Sequence, residues 1–451
     1  MNKKISKSKL ALAILSLIIT FFVWQQGLKD SLERPSVSND LAQKEIEITR
    51  LALPAISDNV ITLFDYGNPD KNMRDFLLDS SYADLSDRNK LILIILRGEE
   101  NYISDNEIQE LKDGKYGLVI ENLKKQVTES SFIPSKEFLQ DYENDKYLYH
   151  LIADKFYLDD SDFIDNELAR NMLIKLIAIK FIPLLTILAG TFLVLRYFVK
   201  IIKEKTINWR PFDALELNTL DLILLISGGF VVLGEVISPV FSITILDIIT
   251  KNISQEISQS LKIFFGYLFM AIPPLLIVYY QIKSIDDEFS FKLDYFQFNY
   301  KPIKDSFING FRGFLMIIPF VLLTSLLMNE FVESQGGSNP LLEIVLNNNN
   351  YFAFSLLFLT TTFLAPLFEE IIFRGVLLPI LSRDFGIIVG ILISSFVFAI
   401  AHLSIGEFPP LLVLGIGLAI TRLISGRLTS SIIMHSLWNG LTFFNLFLLR
   451  T

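Results

Sequence analysis

Tyr351-Phe-Ala-Phe-Ser-Leu-Leu-Phe-Leu-Thr-Thr-Thr-Phe-Leu-Ala-Pro-Leu-Phe-Glu369-Glu370-Ile-Ile-Phe-Arg374-Gly-Val-Leu-Leu-Pro-Ile-Leu381 decides how this chain folds. A helix that is apolar on every side cannot face water, and an apolar run of 18 or more residues is long enough to cross a bilayer. The stretch therefore reads as a membrane span. Its charges Glu369, Glu370 and Arg374 are the anomaly, because an ionisable side chain inside a span costs about 2.5–3.5 kcal/mol on insertion scales.

Similar runs occur on both sides. They lie near Leu10–Trp24, Leu173–Val199, Leu220–Val240, Leu261–Tyr280, Phe311–Met328, Ile387–His402, Leu411–Ile424 and Ser430–Leu449. The chain is 51% hydrophobic, contains 39 Phe and has a mean hydropathy of +0.45. A soluble protein of this length has a mean hydropathy near or below zero. The expected fold class is all-α, a polytopic transmembrane helical bundle of about nine spans, with a small, mostly helical extramembrane domain after the first span.

Charge sets that domain apart. Over Leu28–Met172 there are 30 Asp and Glu against 17 Lys and Arg, while the rest of the chain is mildly basic. An acidic block repels phosphate, so nucleic acid is not an expected partner. Four lysines precede the first apolar run and place the N-terminus in the cytoplasm. Gln25-Gln26-Gly27-Leu28-Lys29 offers no small-x-small cleavage site, which favours an uncleaved anchor over a signal peptide. The acidic block then falls on the far side of the membrane. Positive charges recur in alternate loops, and short cytoplasmic loops point to a bacterial inner (cell) membrane. The expected organisation is an anchor at 1–27, an acidic extracytoplasmic domain of unknown role at 28–172, membrane helices and loops at 173–350, and a chemistry-bearing core at 351–451. Within the acidic block Asp87 reads as a helix start, Gly98 as a stop, and Asp105–Lys125 has helical spacing.

The chain has no cysteine, which excludes disulfides, thiolate nucleophiles and Cys-ligated metals. There are three histidines, His150, His402 and His435. His150, beside Tyr147 and Tyr149, reads as an ordinary surface or partly buried residue. The other two close or occupy apolar spans, in Phe398-Ala-Ile-Ala-His402 and His435-Ser-Leu-Trp-Asn439. Glu370 and Arg374 are i,i+4 and stack on one helix face, so they can pair, whereas Glu369 lies about 100° around the helix. His435 and Asn439 share a face in the same way. At ~1.5 Å per residue, Glu369 lies ~21 Å from Arg383, His402 ~23 Å from Ile387, and His435 and Asn439 ~12 and ~18 Å from Arg427. These groups form one layer and can meet inside the bundle.

A carboxylate beside an imidazole can deprotonate water, and a second imidazole with a carboxamide can stabilise an oxyanion. Such a set hydrolyses an acyl bond without a covalent nucleophile. No Gly-x-Ser-x-Gly elbow and no His-Glu-x-x-His motif is present. No cofactor is required by this chemistry, although Glu369, His402 and His435, one carboxylate and two imidazoles, are a donor set that suits zinc. Glu235, a lone carboxylate in its span, reads as a packing or end residue. Gly386-x-x-x-Gly390 reads as a close-packing contact between helices.

The ordered pattern Glu-Glu-x-x-x-Arg, Phe-x-x-x-His and His-x-x-x-Asn on successive membrane helices resembles the CAAX protease and bacteriocin-processing (Abi) family, which includes the type II CAAX prenyl endopeptidases. The resemblance covers roughly Phe352–Leu449. It implies a glutamate-dependent intramembrane endopeptidase acting on a peptide or membrane-protein substrate. By the same likeness Glu369 and His402 activate water, His435 and Asn439 form the oxyanion hole, and Glu370, Arg374 and Phe398 support the site. Two other readings remain: a non-catalytic scaffold or immunity-type protein that binds partners through the acidic domain, and a proton-relaying transporter.

Overall fold

The computed structural model describes residues 6–34, 37–56, 67–97, 111, 114–129, 132–157, 165–205, 209–210, 216–284, 296–298, 301–331, 340–348 and 350–450. Gly98, expected to stop a helix, lies outside the described residues, as do most of residues 105–113. Among the described residues there are helices and turns and no strand. The chain divides into two compact units. One comprises 1–37 with 183–447, and the other 38–182 with 448–451.

The expected spans form helices α1 (Lys7–Glu33), α2 (Asn166–Glu204), α3 (Thr219–Thr250), α4 (Gln255–Lys283), α5 (Ile303–Phe331), α6 (Tyr351–Phe385), α7 (Ile387–Ile400), α8 (Phe408–Ser425) and α9 (Leu428–Leu448). Seven of them, all but α7 and α9, are long and apolar enough to cross a membrane. The protein is thus a multi-pass integral membrane protein. Helix α7 has only 14 residues. Helix α9 has 21, but Thr429, Ser430, Ser431, His435 and Asn439 dilute its apolar character. Large apolar side chains such as Phe21, Phe22, Leu188 and Phe192 are exposed on the outer faces of α1 and α2, as lipid-facing surfaces require.

Inside the bundle the helices approach through glycine. A Cβ at Gly229 of α3 would lie 3.2 Å from the Pro274 Cα of α4, and one at Gly190 of α2 would collide with the Leu315 carbonyl of α5. Close backbone approach of this kind drives association where lipid removes the hydrophobic force between helices. Gly390 also fits the expectation of close packing, since a Cβ there would strike Ser382. Gly386 does not. Nothing lies within 4 Å of its Cβ position; its φ of +90° shows that it serves the reversal between α6 and α7.

Helix α1 is a working part of this unit. Lys9 pairs with Asp221, Thr20 donates to the Ser227 carbonyl at 3.4 Å, and Arg34 beyond its end donates to the Leu403 carbonyl at 2.7 Å.

The 38–182 unit contains the helices Val37–Ala52, Pro69–Leu78, Asp87–Arg97, Gly117–Thr128 and Lys146–Phe156, with Asp87 starting its helix as expected. Asn68 caps the second, and Asp145 the last through the Leu148 N–H at 3.1 Å. Ile48, Met73, Leu77, Leu91, Ile92, Val119 and Ile152 form its buried interior. His150 is half-buried with its ring edge-on to Tyr149 at 5.3 Å.

Candidate active site

Glu369 and Glu370 sit on the short α-helical turn Ala365–Glu370, between two π-helical stretches of α6, Thr360–Leu364 and Ile371–Leu377. Wide π turns break the regular i→i−4 ladder and occur often at functional sites. The expected i,i+4 pair survives this geometry: Arg374 Nη1 donates to Glu370 Oε1 at 2.8 Å, and both side chains are fully buried. Arg374 Nη2 also donates to the Gly415 carbonyl at 3.2 Å, and the guanidinium stacks 4.3 Å over the Phe398 ring. Phe398 in turn lies edge-on to His402 and His435, at 4.8 and 5.7 Å.

His435, from α9, bridges the two glutamates. Its Nδ1 is 3.0 Å from Glu370 Oε1 and its Nε2 is 3.9 Å from Glu369 Oε2. His402, at the end of α7, has Nδ1 2.8 Å from the Phe398 carbonyl. Carbonyl and carboxylate oxygens only accept hydrogen bonds, so each histidine carries its proton on Nδ1 and keeps the Nε2 lone pair when neutral. The imidazole that meets Glu369 is therefore His435; no ion pair or hydrogen bond joins Glu369 to His402. Asn439 donates one amide hydrogen to the Thr361 carbonyl at 2.9 Å and keeps a second.

Glu369, His402, His435 and Asn439 all line one cavity of about 520 Å³ within the membrane unit. Its volume falls in the range of ligand pockets. Phe230, Ile263, Met270, Leu411 and Trp438 supply apolar walls. Glu369 accepts from the Tyr267 hydroxyl at 2.9 Å through Oε1, while Oε2 is buried with no hydrogen-bond partner among the described residues. An unpartnered carboxylate oxygen on a residue that lines a cavity is a group left available to a polar partner.

Three participants escaped the sequence reading. Tyr267 belongs to the run Phe264-Phe265-Gly-Tyr267, where an aromatic residue carries no signal. Glu235 did carry one, as a lone carboxylate in an apolar span; it lines the same cavity, with Oε2 buried and unpartnered. The third is the turn after His402. Leu403 has a φ of +49°, Ile405 N–H donates to Ser31 at 3.2 Å, and Gly27 leaves room for the Leu403 side chain. Helix α1 thus holds the segment that carries His402. Although Glu369, His402 and His435 share the cavity, no group of three or more His, Asp or Glu among the described residues is arranged to hold a metal ion.

An all-helical membrane bundle thus brings Glu369, His402, His435 and Asn439 to one cavity. Residues 351–441 match the family described as type II CAAX prenyl endopeptidase Rce1-like. This part of the chain carries a domain of the CAAX protease family, and the resemblance drawn from the three motifs holds. Residues 38–174 match a domain of unknown function (DUF8675). No curated protein and no solved structure matches the chain.

Proposed function

We propose that the cavity hydrolyses a peptide bond at or within the bilayer by general-base activation of water. The carrying observation is Glu369: one oxygen is held by Tyr267, and the other is buried, unpartnered and 3.9 Å from His435. Water seated on Glu369 Oε2 gives its proton to the carboxylate as its oxygen attacks the scissile carbonyl carbon. Asn439 lines the same cavity, and its second amide hydrogen suits the developing oxyanion. Collapse of the tetrahedral species breaks the C–N bond, and the proton held by Glu369 passes to the leaving nitrogen, leaving a carboxylic acid and an amine that then exchange a proton to become carboxylate and ammonium. The Nε2 atoms of His402 and His435 are the groups that can shuttle that proton. Glu370, neutralised by Arg374, fixes the His435 ring and takes no part in proton transfer.

The apolar walls suit an apolar segment or a lipid-modified tail, which makes CAAX-type processing of a prenylated protein one substrate class to test. The lysines before α1 and the basic alternate loops support an N-terminus in the cytoplasm and a bacterial cell membrane as the setting. The test is purified wild type and Glu369→Gln in detergent, incubated with membrane-protein and prenylated peptides and read by mass spectrometry with and without chelator. Cuts made by wild type and lost in the variant support the reading. Cuts that persist in Glu369→Gln overturn it, and a chelator-sensitive reaction would require a metal-dependent one. No cutting by either protein, with both shown to be folded, favours the scaffold reading.

A further inference from the structure

The membrane unit contains a second cavity, of about 550 Å³, that shares no lining residue with the first. Three helices build it, each with a single face. Helix α2 contributes Leu193, Arg196, Tyr197 and Lys200, at spacings of three and four. Helix α5 contributes Asn309, Arg312, Met316 and Phe320, and helix α8 contributes Gly417, Ile420, Thr421 and Ser425.

Polarity runs along the cavity in the same sense on all three helices. Lys200 and Arg196 lie in the last two to three turns of α2, Asn309 and Arg312 lie near the start of α5, and Ser425 ends α8. The residues deeper in the bundle are apolar: Leu193, Met316, Phe320 and Ile420. At ~1.5 Å per residue the distance from Lys200 to Leu193 is ~10 Å and that from Asn309 to Phe320 is ~16 Å. The cavity is therefore cationic at its mouth and apolar in its depth. Gly313 and Gly417 let α5 and α8 approach closely beneath it: a Cβ at the first would strike Thr421, and one at the second would lie 2.6 Å from Ile317.

Its charge is one-signed. No carboxylate lines the cavity among the described residues, and Arg196 and Arg312 form no ion pair there. Among the described residues Lys200 pairs only with Glu204, at 3.9 Å. Cations at a span end ordinarily reach out to the headgroup layer. Here three of them, from two helices, converge on one concave site above an acyl-sized apolar slot.

We propose that this cavity binds one anionic phospholipid, its phosphate held by Arg196, Lys200 and Arg312 and one acyl chain laid against Leu193, Met316, Phe320 and Ile420. Arginine forks match phosphate oxygens in geometry and charge, and basic pockets between membrane helices take anionic headgroups. The occupant belongs to the leaflet that meets the lysine-rich end of α2. This site stands whether or not the first cavity cleaves peptides.

The test is native mass spectrometry of the full chain after exchange with phosphatidylglycerol or phosphatidylcholine of identical acyl chains. One phosphatidylglycerol should be retained roughly ten-fold or more in preference to phosphatidylcholine, and R196Q/K200Q/R312Q should bring the two within about two-fold. Equal retention by wild type, or an undiminished preference in the variant, overturns the proposal. A measurement on wild type alone covers failure of the variant to fold. Phosphatidylglycerol with a photoreactive acyl chain should cross-link to residues 193–200, 309–320 and 417–425, with competition by unlabelled phosphatidylglycerol and none by inorganic phosphate. Cross-links spread over all the outer helices, or competition by inorganic phosphate alone, would reject a lipid site.

Discussion

In the 38–182 unit, Arg88 gives Nη1 to Glu47 at 2.7 Å and sends Nε and Nη2 to the two oxygens of Asp145 at 2.5 and 2.9 Å. Glu47, fully buried, is closed off by Gln43 and Lys44, each at 3.1 Å. In the membrane unit, Glu370 and Arg374 are just as deeply buried, yet Glu369 Oε2 and Arg374 Nε have no hydrogen-bond partner among the described residues. Both regions bury charge, but the carboxylates around Arg88 are saturated, whereas the Glu369–Arg374 stretch leaves charged groups with atoms over. A saturated network spends its polarity on its own geometry, whereas a group left unsatisfied beside a cavity is kept for something that arrives from outside.

The contrast predicts that different properties break in the two places. The largest effect is expected from Glu369→Gln. Cleavage should fall by ~10²–10⁴, while the thermal unfolding midpoint in detergent stays level or rises, because a buried unpaired charge has been removed. A midpoint that drops by many degrees would mean that Glu369 is structural. Next is Arg374→Met, which strands Glu370 in the bundle and should destabilise the protein by ~3–5 kcal/mol. Glu370→Leu with Arg374→Leu should recover much of that stability without recovering cleavage, and recovery of both would make the pair irrelevant to the site.

Arg88→Met in the 38–182 unit should cost ~1–3 kcal/mol. Faster hydrogen exchange over Asp87–Arg97 with unchanged cleavage is the expected readout, and lost cleavage would tie that unit to the chemistry. Tyr267→Phe should lower the rate roughly ten-fold by freeing Glu369 Oε1, with stability unchanged.

The smallest effects concern pH. Burial opposes the charge on Asp145, but the Arg88 hydrogen bonds and charge outweigh it and hold the carboxyl below its ordinary value. Its stabilisation is present above about pH 3.9 and is lost as pH falls further. His150 is lowered by burial, so its contribution is present above about pH 6.5 and declines below it. Exchange protection in the helix Lys146–Phe156, taken relative to the intrinsic amide rate at each pH, should fall in those two windows, and His150→Gln should flatten the upper one. A pH-independent protection would contradict both.

The helices were legible because apolar runs of span length have one common explanation, and the site was legible because charge in such a run is anomalous. That is why Glu369, Glu370, Arg374, His435 and Asn439 could be named from their positions alone, and why His435 and Asn439 were found on one face. What sequence spacing could not convey is which imidazole meets which carboxylate. His402 and His435 are equivalent on a linear chain; only the packing of α9 against α6 puts His435 between the two glutamates. Tyr267 is silent in a Phe-rich helix, and Gly386 looks like a packing glycine until its φ is known. The π-helical stretches around Glu369 have no sequence mark, since the same apolar residues fill ordinary turns.

Helix α7 carries a consequence for the supply of the second substrate, water. Its 14 residues rise ~21 Å, against a hydrocarbon thickness of ~30 Å. The deficit falls next to His402, which stands just past its last turn. A span shorter than the hydrocarbon layer is met by a thinner bilayer, which brings the headgroup layer nearer to a polar turn at its end. A helix short by fewer than two turns shortens the path from the headgroup layer to the cavity that His402 lines.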